Sequence, residues 1–315
     1  MNKQFYLFFF FISTVVAASA QSAFTVLPLG VKGGLDESNL SAYLVASAGS
    51  SNFICLDAGT IYTGLTIARK KGSIKNTEQE FLKENIKGYF ISHGHLDHVA
   101  GLILNSPEDS KKPIYALPEV LNVLKTDYFT WTSWANFGSE GEAPILNKYR
   151  YASLVPNTEI AAEGTDLQVR AFELSHVKPY KSTAFLVSNT GGSLVYLGDT
   201  GADSIEKSAD LKNLWQEIAP LIRAKKLKAI FIEVSFPNSQ ADGQLFGHLN
   251  PRLFAQEMKA LASFTGAEAL KGLPVVITHR KPSGSNEEQI KQEVEATNNY
   301  GLKLIFPQQG KMIFF

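Results

Sequence analysis

Three imidazoles and a carboxylate crowd into the six residues His93-Gly94-His95-Leu96-Asp97-His98, one residue, Ser92, after the apolar run Gly88-Tyr89-Phe90-Ile91. His93 and His95 are two apart, so on a chain still extended as it leaves a strand they fall on one side and reach a common ion. Asp97 and His98 follow on the next bend, near enough to serve a second ion beside the first. Imidazole mixed with carboxylate suits Zn, or Mn and Fe, rather than Ca or Mg, which take oxygen ligands alone. The pattern calls for no serine or cysteine nucleophile, and no G-x-S-x-G elbow is present. The single cysteine, in Phe53-Ile54-Cys55-Leu56, reads as a buried, inert thiol.

Such a loop needs a rigid support, and the chain supplies short apolar runs of strand character. In the first half they are Phe24 to Leu29, Tyr43 to Ala46, Phe53 to Leu56 and Gly88 to Ile91, with Gly, Ser or Asp between them. Thr77-Glu78-Gln79-Glu80 has the form of a capping box, and Phe81, Leu82 and Ile86 continue it as a helical stripe. A strand, a crossover helix and the strand carrying the histidine loop are therefore expected in succession. From Glu108 to Tyr151 the pattern loosens, and Tyr128, Phe129, Trp131, Trp134, Phe137, Tyr149 and Tyr151 collect among small and polar residues. These rings either stack on a flat ligand near the metals or pack a helical cap or a homodimer contact.

In the second half, runs stand at Leu167 to Phe172, Ala184 to Val187 and Leu194 to Leu197, the first followed by Leu174-Ser175-His176 and the third by Gly198-Asp199-Thr200-Gly201. Helical stripes at Leu211 to Arg223 and through Phe254, Met258 and Leu261 alternate with strands at Ala229 to Glu233 and Leu273 to Thr278. The last strand closes on His279-Arg280-Lys281-Pro282-Ser283. Taken singly, a lone histidine or a G-D-T-G turn is as readily structural as functional. All six histidines of the chain nevertheless stand in such contexts, and none is left for routine surface use. Strands with helices interspersed in both halves, and polar residues at strand ends, argue for an α/β (α+β) arrangement of sheets covered by helices.

The amino terminus reads as a secretory signal peptide over residues 1–20. Lys3 gives a basic start, Phe5 to Val16 is an almost wholly apolar run of about a dozen residues, and Ala18-Ser19-Ala20 is an A-x-A cleavage site before Gln21. The expected mature chain is exported, periplasmic or secreted, and free of the membrane after cleavage between Ala20 and Gln21. Residues 21–315 are then a single catalytic domain. With 30 Lys and Arg against 30 Asp and Glu, the chain carries no global field for a nucleic acid polymer. One cysteine excludes an intramolecular disulfide.

The HxHxDH loop resembles that of the metallo-β-lactamase superfamily. Its continuation, His95-Leu96-Asp97-His98-Val99-Ala100-Gly101-Leu102-Ile103-Leu104-Asn105-Ser106-Pro107, is similar to the signature of class II 3',5'-cyclic-nucleotide phosphodiesterases at every constrained position. Gly247-His248-Leu249 and Ile277-Thr278-His279-Arg280-Lys281-Pro282-Ser283 resemble the same family. The resemblance spans roughly residues 24–315 and implies a four-layer αβ/βα metallo-β-lactamase-like sandwich. It implies two divalent ions, Zn first: one held by His93, His95 and His176, the other by Asp97, His98 and His279, with Asp199 bridging. Asp57, in Asp57-Ala58-Gly59, takes the place of an acid that buttresses the metal loop.

The activity so implied is hydrolysis of small-molecule cyclic nucleotides, cAMP, cGMP or both, to nucleoside 5'-monophosphates by a metal-bridging hydroxide that Asp97 orients or deprotonates. A 3'-oxygen is a poor leaving group, and His248, oriented by Glu233, is the candidate proton donor. Arg280, Lys281 and Ser283, with Lys178 or Lys181, are candidates to grip phosphate oxygens. The competing readings are another phosphodiester hydrolase of the superfamily, such as a tRNA 3'-processing-like enzyme, and a non-catalytic exported protein that binds a nucleotide or metal.

Overall fold

The computed structural model describes Met1 and residues 22–315, so the signal peptide expected at 1–20 lies, Met1 apart, outside the described residues. The early apolar runs form Phe24–Gly30 (β1), Ala42–Ser47 (β2), Phe53–Leu56 (β3) and Ile86–Phe90 (β4). Lys112–Ala116 (β5) and Tyr149–Ser153 (β6) extend this sheet through the segment whose pattern loosens. The second half contributes Glu159–Ala161 (β7), Gln168–Ser175 (β8), Lys181–Asn189 (β9), Gly192–Leu197 (β10), Leu227–Glu233 (β11), Pro274–Thr278 (β12) and Lys303–Ile305 (β13). Ile313–Phe314 (β14) returns to pair with β1. Among the described residues these make two seven-stranded sheets, ordered β14-β1-β2-β3-β4-β5-β6 and β13-β12-β11-β10-β9-β8-β7.

Side chains alternate across a strand, and that alternation separates the layers. In β11, Ala229 and Phe231 face the first sheet while Ile230 and Ile232 face the helices Asp210–Arg223 and Pro251–Thr265. Phe185 and Val187 of β9 and Leu194 and Tyr196 of β10 point inward, whereas Leu186, Val195 and Leu197 point out to the same helices. On the other side of the first sheet, Leu65 and Ala68 of the Tyr62–Lys70 helix and Val99 and Leu102 of the Leu96–Asn105 helix cover its outer face. The order is helix, sheet, sheet, helix. Strands covered on both faces read as continuous apolar runs, and β1, β2 and β3 are buried at every position.

One expectation needs correction, and the choice left open for the aromatic segment is decided. The capping box at Thr77 and Glu80 is present, but the turn it starts passes into a wide π-helical turn at Phe81–Asn85, and Ile86 already belongs to β4. Most of the crossover that parallel pairing of β3 with β4 requires is therefore made by the Tyr62–Lys70 helix, which the sequence pattern does not announce. The aromatic segment packs: Phe129 and Tyr149 are buried, Tyr128, Trp134 and Phe137 lie against the same core, and the Trp134 Nε1–H donates to Ser106 Oγ at 3.1 Å. Tyr128 also donates to the Gly94 carbonyl at 2.9 Å, bracing the histidine loop from the side.

Candidate metal centre

Every sequence-predicted ligand sits where a strand has just ended or a helix is starting, so rigid elements hold loops only a few residues long. His93 and His95 follow β4, Asp97 and His98 occupy the first turn of the Leu96–Asn105 helix, and His176, Asp199 and His279 follow β8, β10 and β12. The two sheets bring them together. Ligand atoms of His93, His95, His176 and Asp199 lie within 4.8 Å of one another, as do those of Asp97, His98, Asp199 and His279. Asp199 is common to both groups. Its Oδ2 lies 3.3 Å from the Nε2 atoms of His98 and His279 and 3.7 Å from that of His93.

The outer nitrogens of the rings fix which way the inner ones face. The His98 Nδ1–H donates to Asp57 Oδ2 at 2.8 Å, that of His176 to the Gly247 carbonyl at 2.8 Å, and that of His279 to Ser235 Oγ at 2.9 Å. The His93 Nδ1–H is 3.0 Å from Ser92 Oγ, whose own hydroxyl donates to Asp57 Oδ2 at 2.8 Å. With those protons turned outward, the inward nitrogens present lone pairs. His98 and His279 Nε2 are then 3.1 Å apart, His176 Nε2 and His95 Nδ1 are 3.3 Å apart, and the buried His93 Nε2 has no hydrogen-bond partner. Lone pairs and two carboxylates converging in a buried space are the donor set that divalent cations take.

Electrostatics point the same way. Burial holds His93 well below the ordinary imidazole value and takes His176 down to about 4, which keeps both neutral, the form that binds metal. Burial alone would raise the Asp199 and Asp97 carboxyls, but the surrounding imidazoles, His279 and His98 foremost, hold both below the usual range. His98 is the exception. Burial opposes its charge, yet Asp199, Asp57 and Asp97 together raise it.

Asp57 receives Ser92 N, Ser92 Oγ, His98 Nδ1 and, at 2.6 Å, the Tyr196 hydroxyl from the facing sheet. Asp57→Ala is expected to leave these buried donors unanswered and to weaken metal retention about 10- to 100-fold, read by chelator competition. A thermal melt should fall with it. Gly33 lies against His279 so closely that a Cβ would enter its imidazole. Gly33→Ala should displace His279 and lower bound metal, as elemental analysis would show.

Glu233 and His248 form a third group with His279. His248 Nδ1 is 2.8 Å from Glu233 Oε1, and Thr200 N and Ser235 Oγ also donate to that carboxyl. Burial, with Asp199 nearby, pushes Glu233 up to about 7, and burial takes His248 down to about 4. Lys281 and Ser283 line a recess of about 400 Å³ with His248 and Phe236. Arg280 and Lys178 are placed elsewhere. Arg280 is only 9% exposed, its guanidinium 3.6 Å from Glu287 and over the Phe306 ring, while Lys178 Nζ donates to the Lys207 carbonyl at 2.8 Å on the surface. Ser92, Ser235, Tyr196 and Gly33 escape motif reading, although Ser235, two residues after Glu233, shares its side of the chain, a spacing that could have shown it.

Comparison with known proteins follows the same lines. The family of class-II cAMP phosphodiesterases matches residues 22–310 of the chain. A 3',5'-cyclic-nucleotide phosphodiesterase of Aliivibrio fischeri is 42% identical over 318 aligned positions, covering 96% of each chain. Among solved structures, unliganded yeast PDE1 superposes with a TM-score of 0.81 at 23% identity, over 94% of this chain and 100% of that one. The metallo-β-lactamase fold protein YhfI of Bacillus subtilis gives 0.62 at 17% identity, over 93% of this chain and 99% of its own. A match along nearly the whole length, on the fold that brings the histidine loop to His176, Asp199 and His279, means that this chain belongs to the class-II cAMP phosphodiesterases.

Proposed function

We propose that this protein hydrolyses the 3',5'-cyclic phosphate of cAMP, cGMP or both to the nucleoside 5'-monophosphate, using two divalent cations, Zn foremost with Mn or Fe as alternatives. The observation that carries the reading is Asp199 Oδ2 standing among inward-facing imidazole nitrogens of two overlapping ligand groups. His93, His95 and His176 would hold one cation, Asp97, His98 and His279 the other, and Asp199 both. Bound there, a pair of divalent cations would supply activation of a water nucleophile and neutralisation of charge growing on phosphoryl oxygens.

The chain's own groups do the rest. Asp97, with Gly34 N donating to its Oδ2 at 3.0 Å, is positioned to take the proton of the attacking water. With Glu233 pushed up to about 7 and His248 down to about 4, it is the carboxyl that holds a proton towards Nδ1 in the lower part of the neutral range. His248 can therefore pass its Nε2 proton to the departing 3'-oxygen while accepting the Glu233 proton at Nδ1, so no net charge builds on the ring. Lys281 and Ser283 flank that side of the site and meet the phosphate or the ribose hydroxyl.

Metal-loaded protein incubated with each cyclic nucleotide should yield the 5'-monophosphate by chromatography. Intact cAMP and cGMP beside cleavage of other diesters, tRNA 3'-trailers included, would instead support the broader phosphodiester reading. Export is also part of the proposal, on the strength of Lys3, the apolar run and Ala18-Ser19-Ala20. Amino-terminal sequencing of protein recovered outside the cytoplasm should start at Gln21, and a retained Met1 would overturn it.

A further inference from the structure

A cavity of about 550 Å³ opens beside His93, His95 and His176, within the size range of small-molecule sites. Val120, Val123 and Tyr180 give it apolar walls, and Glu119, Glu173 and Lys181 are at its edge. Tyr180 is 67% exposed, so its ring is open to a ligand. Its backbone is nevertheless fixed, because Tyr180 N donates to the Val177 carbonyl at 3.0 Å and its own carbonyl accepts from His176 N at 3.3 Å. The ring is thus tied through one tight turn to a candidate metal ligand. Val123 is equally fixed, seated on Gly94 between His93 and His95, where a Cβ would come 2.6 Å from its Cγ1.

Charge decides what can enter. Glu173 is paired with Lys181 at 2.7 Å, while the Glu119 carboxylate has no ion pair or hydrogen bond among the described residues. The edge offers a phosphoryl group no side-chain cation beyond the already paired Lys181, whereas the recess holding His248 carries Lys281. The apolar cavity is left for the uncharged, flat part of the substrate. We propose that it is the nucleobase subsite: the purine stacks on Tyr180 beside Val120 and Val123, with its N–H edge turned to Glu119. The inference rests on the cyclic-nucleotide reading above.

The test is steady-state kinetics of the metal-loaded protein on cAMP, cGMP and the 3',5'-cyclic phosphate of methyl riboside, which has no base. Tyr180→Ala is expected to raise KM for both nucleotides about 5- to 100-fold, the scale of a lost base–aromatic stack. Its kcat and its KM for the base-free compound should stay as in the unaltered protein, and Tyr180→Phe should restore nucleotide KM. Glu119→Gln is expected to raise KM more for cGMP than for cAMP, because guanine offers a 2-amino donor that adenine lacks. Unchanged nucleotide KM in Tyr180→Ala, or an equal rise on the base-free compound, would overturn the subsite while leaving the function standing. If the unaltered protein cleaved the base-free compound but neither nucleotide, the functional reading itself would fall.

Discussion

Asp199→Ala is expected to reduce cyclic-nucleotide hydrolysis by on the order of 10⁴-fold or more and to strip the protein of bound metal. The reason is position. Asp199 is the one residue shared by both ligand groups, and its Oδ2 is within 3.7 Å of three imidazole nitrogens aimed inward. Removing it takes a negative charge from a buried centre and leaves Asp97 as the one carboxylate among the proposed ligands of two cations. Elemental analysis and turnover should fall together, and neither should recover when metal is added at moderate excess. A variant that kept full metal content and rate would show that the cations, if bound, do not depend on this carboxylate, and the proposed centre would have to be abandoned.

His248→Ala should behave differently. Metal content is expected to hold, because the three metal-facing groups around it are anchored by Asp57, Gly247 and Ser235 rather than by His248. The kcat on cAMP or cGMP should drop about 10²- to 10⁴-fold, the usual contribution of general acid–base catalysis. On bis(p-nitrophenyl) phosphate, whose leaving group needs no proton, the same substitution should cost little. Glu233→Gln, which can no longer relay a proton to Nδ1, is expected to follow the same split. Equal losses on both substrates would mean that His248 shapes the pocket instead of protonating the leaving oxygen. Asp57→Ala provides the contrast, since it should lower metal retention and stability for both substrates alike.

How much of this was legible in the sequence differs from element to element. The strand runs were visible wherever burial on both faces made them uniformly apolar, as in β1, β2, β3 and β10. β6 was not, because an edge strand with Arg150 and Ser153 exposed has no continuous apolar signal. The Tyr62–Lys70 helix was missed for lack of a capping side chain or an acidic first turn. The Thr77 capping box marks only the end of the crossover, since it is real but opens one turn before the chain widens and enters β4.

For the site, the sequence by itself determined the chemistry available: six histidines, the HxHxDH spacing, and acids at Asp199 and Glu233 placed where strands end. Those are local facts, fixed by residue type and backbone period. What only the tertiary structure decided is which nitrogen of each ring turns inward, since that depends on Asp57, Ser92, Ser235 and the Gly247 carbonyl, up to 71 residues away in the chain. It also decided that Arg280 faces Glu287 and Phe306, that Lys178 reaches Lys207, and that Tyr180 stands free above the cavity. The physical reason is that spacing along a chain specifies which side of an element a residue occupies, whereas the partner it meets there is set by how two sheets and their loops come to rest against each other.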